Sequence, residues 1–139
     1  DLIKTAYGKY VHPAKIEGLL KEIPGITEAL LVGESKPYCS ALLWINADAC
    51  DVNTAANLDA AIAQMNSQLS HPEQVKRWAI LSNDLSVEGG DLTPNLKLKR
   101  PAVARKFQAL MDAFYADGTI SQDVLPRVLH CGQAERGEK

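Results

Sequence analysis

The chain has 139 residues, of which 46% are hydrophobic and 23% charged, and its formal net charge is −2 at pH 7. A chain of this size can bury one hydrophobic core, and its slightly negative charge gives no support for nucleic-acid binding or for attraction to an acidic membrane. The cysteines number three and form no C-x-x-C pair. This favours reduced thiols in a cytoplasmic protein over a disulfide framework or a zinc site. No signal peptide or transmembrane span is visible.

The first part of the chain predicts a small hairpin followed by a helix. Residues 2–4 and 9–11 are strand-like, and Gly8 between them suits a tight turn. Pro13 can begin the helix because the first helical N–H needs no partner, and the Pro-Gly pair at 24–25 stops it. The apolar residues at helical spacing are Ile16, Leu19, Leu20 and Ile23. The charged residues expected mostly on the opposite side are Lys15, Glu17, Lys21 and Glu22.

The middle of the chain predicts two strands, a helix and a third strand. Residues 27–32 and 38–45 form apolar runs that would pair as an antiparallel hairpin, with the second run apolar enough to be central. Residues 46–57 are rich in Asp, Asn and small residues and are expected to form a loop. An amphipathic helix is predicted from about residue 57 to residue 70, and residues 77–81 predict the third strand. The apolar stripe of this helix is Leu58, Ile62, Met65 and Leu69.

The most distinctive stretch is residues 92–100, Leu-Thr-Pro-Asn-Leu-Lys-Leu-Lys-Arg. In an extended chain, Leu96 and Leu98 would face the core while Lys97 and Lys99 would face outwards. Two interpretations stay open on this pattern. The segment is either a solvated basic surface or a rigid mount that presents positive charge to an anionic group outside the domain. Spacing alone does not choose between the two lysines.

The last part of the chain predicts one amphipathic helix from Pro101 to near Asp117, with Gly118 as its C-cap. A polar tail follows, in which a short docked or frayed helix and a disordered end are expected. The fold class is therefore α+β, with a three-stranded sheet packed with helices and a small N-terminal hairpin. The expected division is a domain over residues 1–117 and a polar tail over residues 118–139.

Patterns of residues alone predict an α+β domain that presents a basic segment, and no particular reaction. The chain lacks the glycine-rich phosphate-binding motifs, and no Ser/His/Asp set can be argued from it. Asp48, Asp51 and Asp59 lie too far apart to predict a metal cluster, so no metal ligands are expected. Because the chain opens on a strand-like segment without Met, we expect it to be a piece of a longer protein or a processed one.

Three segments, in this order, resemble motifs of the C-terminal domain of adenylate-forming enzymes of the long-chain fatty-acyl-CoA synthetase type. Residues 1–17, which include Asp-Leu-Ile-Lys-Thr and Gly-Lys-Tyr-Val, resemble the motif that opens this domain. Residues 28–43 are similar to its central hairpin, and residues 92–100 are similar to its closing motif. The resemblance extends from residue 1 to about residue 115. It implies a fatty-acid–CoA ligase whose N-terminal adenylation domain, absent here, is the partner of this one.

The resemblance also implies a reaction in two halves. Fatty acid and ATP give an acyl-adenylate and pyrophosphate, and CoA then gives acyl-CoA and AMP, while the small domain rotates between the two steps as a mobile lid. ATP, CoA and Mg²⁺ would belong to the full-length enzyme, and none is expected bound to this piece alone. The resemblance implies a cytoplasmic location and is compatible with peripheral membrane contact of the full-length enzyme. Two alternatives stay open: a related enzyme that loads a carrier protein, and a non-catalytic binding module.

Matching the motifs carries roles onto particular residues. The adenylation lysine corresponds to Lys99, with Lys97 as the secondary candidate. Lys9 would either contact CoA phosphates or be solvated, while Glu17 is expected to be structural. The family commonly has Ser-Gly where this chain has Ala6-Tyr7, so Tyr7 adds a bulky ring to the site. The turn residues that would line the CoA tunnel are Thr5, Ala6, Tyr7, Gly8 and Lys9. The tryptophans expected in the core are Trp44 and Trp78.

Overall fold

The structure is a computed structural model that describes residues 2–46, 48, 52–116 and 128–134. Its elements follow the α+β order expected from the sequence. The strands are β1 (Ile3–Lys4), β2 (Tyr10–Val11), β3 (Ile26–Val32), β4 (Cys39–Ile45), β5 (Val75–Ser82) and β6 (Val128–Gln133). The helices are α1 (Pro13–Lys21), α2 (Val52–Asn66), α3 (Arg100–Lys106) and α4 (Gln108–Phe114), with a 3₁₀ turn at His71–Glu73.

The strands form two sheets. Strands β1 and β2 pair antiparallel as the predicted hairpin. The main sheet has the order β3-β4-β5-β6, in which the β4–β5 pair is parallel and the other two pairs are antiparallel. Helix α2 makes the crossover that a parallel pair requires. The antiparallel β3–β4 hairpin and the central position of β4 are both confirmed, and every residue of β4 is buried.

The expected number of strands was wrong, because the described sheet has a fourth strand in the tail. Strand β6 pairs with β5 over Arg77 to Leu81, where a helix or disorder was expected. Its sequence, Val-Leu-His-Cys-Gly-Gln, is too polar for the apolar pattern of a buried strand. The strand is instead held from the side. His130 Nε2 and Asp59 Oδ2 are 2.8 Å apart, and a Cβ on Gly132 would lie 2.3 Å from Trp78 Nε1.

The main sheet carries a hydrophobic cluster on each face. Helices α1 and α2 and the β1–β2 hairpin cover one face, and the cluster there includes Trp78. Helices α3 and α4 cover the other face, where Trp44 packs edge-to-face against Phe107. Both tryptophans are buried, as the sequence predicted. Because both faces of the sheet are covered, the strands are nearly continuous apolar runs.

Three helix boundaries differ from the sequence prediction. Helix α2 begins at Val52, inside the expected loop, because the segment that reads as a loop also contains helix-forming alanines. It ends at Asn66. Hydrogen bonds to the residue three positions earlier, from Gln68 N to Met65 O and from Leu69 N to Asn66 O, continue a helical turn towards the expected end. The helix expected from Pro101 is divided at Phe107 into α3 and α4. The expected C-cap at Gly118 lies outside the described residues.

Candidate active site

The segment expected to be extended, residues 92–100, folds into a tight hairpin that we call the basic hairpin. Leu92 and Leu98 form its antiparallel bridge, and Thr93 N donates to Lys97 O at 2.8 Å. Leu96 lies in the turn with φ of +65° and is 65% exposed. The prediction that both leucines anchor the segment is therefore wrong for Leu96. Leu98 alone packs against the α3–α4 cluster, because the turn after Pro94 reverses the chain.

Lys99 occupies the position just before α3 and has a fixed backbone. Its N–H donates to Asp91 O at 2.8 Å, and its carbonyl accepts from Val103 N at 3.0 Å. Its side chain is exposed and forms no ion pair with any described residue. Lys97 is exposed as well, and its N–H donates to the Thr93 hydroxyl at 3.1 Å within the turn. Both candidate lysines therefore present free ammonium groups from an ordered backbone.

Glu17 contacts Arg100, the last residue of the basic hairpin, and it is buried, with 6% of its surface exposed. One of its oxygens accepts from Leu31 N at 2.8 Å, and Arg100 donates to both of its oxygens, one at 2.7 Å. The carboxylate of Glu17 raises the pKa of the Arg100 guanidinium. The expectation that Glu17 sits on the polar side of α1 is thus wrong, and its structural role agrees with these contacts. Pro13, Ile16 and Leu20 share its face at helical spacing, which could have indicated its burial.

A second buried carboxylate, Asp91, was missed by sequence reasoning. It is 2% exposed, and its oxygens accept from Lys106 Nζ at 3.0 Å and from Ser86 N at 3.2 Å. The small size of Gly89 leaves room for this cluster, since a Cβ there would lie 2.8 Å from the Ser86 hydroxyl. Nothing in the local sequence pattern distinguishes Asp91 from a solvated loop aspartate.

The surface around Lys99 forms a shallow depression of about 460 Å³. Arg105, which sequence reasoning also missed, lines it together with Lys99 and the Glu17-paired Arg100, so three cationic side chains border the same space and suit an anionic group. The residues that line the depression are Leu98, Lys99, Arg100, Pro101, Ala102 and Arg105. A larger and mostly apolar groove of about 730 Å³ lies between β3 and the α3–α4 pair, with Arg100 at one side.

The second candidate region is the turn between β1 and β2. Thr5 is buried and closes the turn, because its N–H donates to Lys9 O at 2.9 Å and its hydroxyl accepts from Lys9 N at 3.2 Å. Ala6 N donates to the Lys36 carbonyl at 2.9 Å, which docks the turn on the β3–β4 loop. Tyr7 is 75% exposed at the tip. Gly8 has φ of +79° with open space around its Cα, so the backbone there is accessible.

Neither of the two described cysteines is an activated nucleophile. Burial raises the pKa of the Cys39 thiol to about 11 and also raises the pKa of Cys131. Because the thiolate is the reactive form, neither cysteine is activated at neutral pH. Burial likewise raises the pKa of Tyr115 to about 12. Within the described ranges, no group of three or more His, Cys, Asp or Glu side chains could hold a metal ion.

The part of the chain that the structure describes contains no candidate transmembrane helix. None of the helices there has the length and apolarity that crossing a bilayer requires.

Comparison with known proteins adds a family match and several relatives. The family described as the AMP-binding enzyme C-terminal domain matches residues 1–119. The chain is 35% identical to the long-chain-fatty-acid–CoA ligase FadD15 of Mycobacterium tuberculosis over 83% of its own length and 22% of that protein. It is 32% identical to the long-chain-fatty-acid–CoA ligase ACSBG2 of Gallus gallus over 84% of its length and 20% of that protein. The chain thus spans about a fifth of the curated relatives that it matches.

The fold has solved counterparts. The A-PCP didomain of carboxylic acid reductase from Segniliparus rugosus, solved in complex with AMP, superposes with a TM-score of 0.70 at 20% identity. The superposition covers 82% of this chain and 17% of that one. At this identity the likeness establishes the fold.

Proposed function

We propose that this chain, which belongs to the family of AMP-binding enzyme C-terminal domains, is the mobile lid of an ATP-dependent long-chain fatty-acid–CoA ligase. In the first half-reaction the fatty-acid carboxylate attacks the α-phosphorus of ATP, the acyl-adenylate forms and pyrophosphate leaves. In the second, the CoA sulfur attacks the acyl carbonyl carbon, the thioester forms and AMP leaves. The names of two relatives, both long-chain-fatty-acid–CoA ligases, support this substrate class.

The observation that carries the proposal is the contrast between the backbone and the side chain of Lys99. Its N–H and C=O are both hydrogen-bonded, while its ammonium has no ion-pair partner among the described residues. Negative charge concentrates on the phosphate oxygens as the carboxylate attacks. A compact ammonium held nearby stabilises that charge without reorganising at the moment of reaction. Lys99 is therefore the proposed adenylation lysine, and Lys97 is its rival.

The turn formed by residues 5–9 is the proposed contact for CoA in the second half-reaction. The open backbone at Gly8 supports this role, since an extended pantetheine arm needs to pass close to the main chain. Lys9 is exposed beside it and could pair with a CoA phosphate. From the family to which the chain belongs, we assign Mg²⁺ and the nucleotide pocket to the N-terminal adenylation domain.

The two half-reactions, measured separately in the full-length protein, test this proposal. Lys99→Ala should lower ATP–pyrophosphate exchange on the order of 10²–10³-fold, because it removes a charge that acts mainly in the transition state. Transfer of the acyl group from a preformed acyl-adenylate to CoA should stay near its original rate. Lys97→Ala is the matched control, since it removes the neighbouring exposed ammonium. If Lys97→Ala abolished exchange and Lys99→Ala did not, the assignment would be wrong.

A related activity is the second candidate, favoured by the exposed ring of Tyr7 where the family pattern has a small residue. The acceptor would then be the phosphopantetheine of a carrier protein, and a structural neighbour is itself a didomain with a carrier-protein unit. The same acyl-adenylate offered to free CoA and to a phosphopantetheinylated carrier protein separates the two. Faster transfer to the carrier protein would replace the CoA-ligase proposal.

The proposed location is the cytoplasm, with peripheral contact of the full-length enzyme with membranes, where long-chain fatty acids partition. The free thiols of Cys39 and Cys131 support a reducing compartment. Fractionation of cells that produce the full-length protein tests this location, and recovery from an oxidising compartment would contradict it.

A further inference from the structure

Two buried carboxylates are connected to Lys99, Asp91 through the Lys99 backbone and Glu17 through the next residue, Arg100. Asp91 accepts the N–H of Lys99 through its backbone carbonyl at 2.8 Å. Its carboxylate holds Lys106 Nζ at 3.0 Å and the N–H of Ser86 at 3.2 Å. One residue therefore ties the start of the basic hairpin, the backbone of Lys99 and the last turn of α3 together.

Glu17 performs the corresponding task on the other side of Lys99. It receives the N–H of Leu31 from β3 at 2.8 Å and the forked guanidinium of Arg100, the residue that follows Lys99. The carboxylate thus joins α1, β3 and the first residue of α3. A bidentate guanidinium–carboxylate pair fixes direction as well as distance, which a single lysine ammonium would not do.

These contacts treat the two candidate lysines differently. Among the described residues, the Lys97 backbone bonds only to Thr93, inside the turn, at 2.8 and 3.1 Å. Lys99 is attached through Asp91 and Arg100 to the helices and strand beneath. A buried ion pair adds little net stability over an apolar replacement, because desolvation offsets its attraction, but it does fix geometry when its hydrogen bonds are satisfied. Here the carboxylates are buried while the cations are partly exposed, with 41% of the Arg100 side chain and 32% of the Lys106 side chain accessible. Two such pairs next to the exposed Lys99 therefore serve to place its side chain.

We propose that Glu17 and Asp91 are positioning residues for the adenylation step, which act through Lys99 and touch no substrate. This inference rests on the proposed function of Lys99. Displacement of a catalytic group by about 1 Å can lower a rate by about 10²-fold. Contacts from Glu17 and Asp91 that hold Lys99 in place therefore affect the rate of adenylation. The second half-reaction uses a different face of the domain and does not need them.

The test uses the full-length protein with Glu17→Gln and Asp91→Asn, which keep size and shape and remove charge. We expect kcat for ATP–pyrophosphate exchange to fall about 10- to 100-fold in each variant, with KM for ATP and fatty acid changed less than about threefold. Transfer from preformed acyl-adenylate to CoA should stay within about twofold of the original rate. Glu73→Gln is the matched control, because it removes the carboxylate of a solvent-facing pair with Lys15 at 2.8 Å and should change neither step.

Each outcome decides the matter. An equal fall in both half-reactions, or unchanged exchange in a folded variant, would overturn the positioning role. If Glu17→Gln fails to fold, Arg100→Lys replaces it, since this change keeps Glu17 and its bond to Leu31 but loses the fork. Lys99→Ala in the same assay distinguishes a failure of the proposed function from a failure of the positioning role alone. Intact exchange in that variant defeats the proposed function, whereas loss of exchange there with normal Glu17 and Asp91 variants defeats only this inference.

Discussion

The basic hairpin and the turn of residues 5–9 are both ordered main chain that carries exposed side chains, but they are held in different ways. The basic hairpin is connected to the buried residues Glu17 and Asp91, and each of their carboxylates is bonded to a cation. The turn is held by main-chain bonds and by the Thr5 hydroxyl, and its residues form no ion pair with any described residue. The difference suits two tasks. A charge delivered to a reacting phosphate requires exact placement, whereas the wall of a passage requires an open backbone.

The largest expected contrast between the two regions is in stability. Glu17→Ala should lower the free energy of unfolding by about 2–3 kcal/mol, because it leaves the buried N–H of Leu31 without its acceptor and removes the partner of Arg100. Lys9→Ala, in the turn, should change it by less than about 0.5 kcal/mol, since the side chain is exposed. Urea unfolding of the two variants measures both. Equal losses would mean that the two regions do not differ in how they are held.

The next contrast is in the second half-reaction. Tyr7→Ala should raise kcat/KM for CoA by roughly tenfold if the exposed ring narrows the passage, and should leave ATP–pyrophosphate exchange unchanged. Steady-state thioester formation at varied CoA provides the measurement. A change in exchange of the same size would show that the turn also serves the first step, and the proposed separation of tasks would fail.

The smallest contrast concerns two residues in the left-handed region of backbone space. Gly8 suits its φ of +79°, so Gly8→Ala should destabilise the protein by about 1 kcal/mol. Leu96 has φ of +65° without the freedom of glycine, and Leu96→Gly should stabilise the protein by about 1 kcal/mol, with little burial lost. Thermal unfolding should shift in opposite directions. Shifts of the same sign would contradict this explanation of the two turns.

Sequence patterns predicted the elements whose packing is local and apolar. Strands β3, β4 and β5 were recognised because each is an apolar run bounded by turn residues. Strand β6 was missed because it is mostly half-buried and polar, and its place depends on the pairing partner that β5 offers. Alternation of leucine and lysine suggested an extended segment. The chain instead turns after Pro94, and Leu96 is therefore exposed.

The residues of the candidate site also differ in how well the sequence predicts them. Resemblance of whole motifs singled out Lys99, while spacing left it equal to Lys97. The positioning residues Glu17 and Asp91 could be predicted only in part. Glu17 falls on the apolar face of α1, which the helical period could have revealed. Asp91 has no such signal, because its partner Lys106 lies 15 residues further along the chain and on another element.

Strand β6 has a consequence for the solubility of any shortened form of the protein. Without it, the outer edge of β5 would present an unpaired row of N–H and C=O groups beside the apolar run of residues 78–81. Such an edge is a template for pairing with a second chain and for aggregation. In the intact sheet, the close fit of Gly132 against the Trp78 indole and the His130–Asp59 contact keep that edge covered. A chain ended after α4 should therefore self-associate, and light scattering would reveal it.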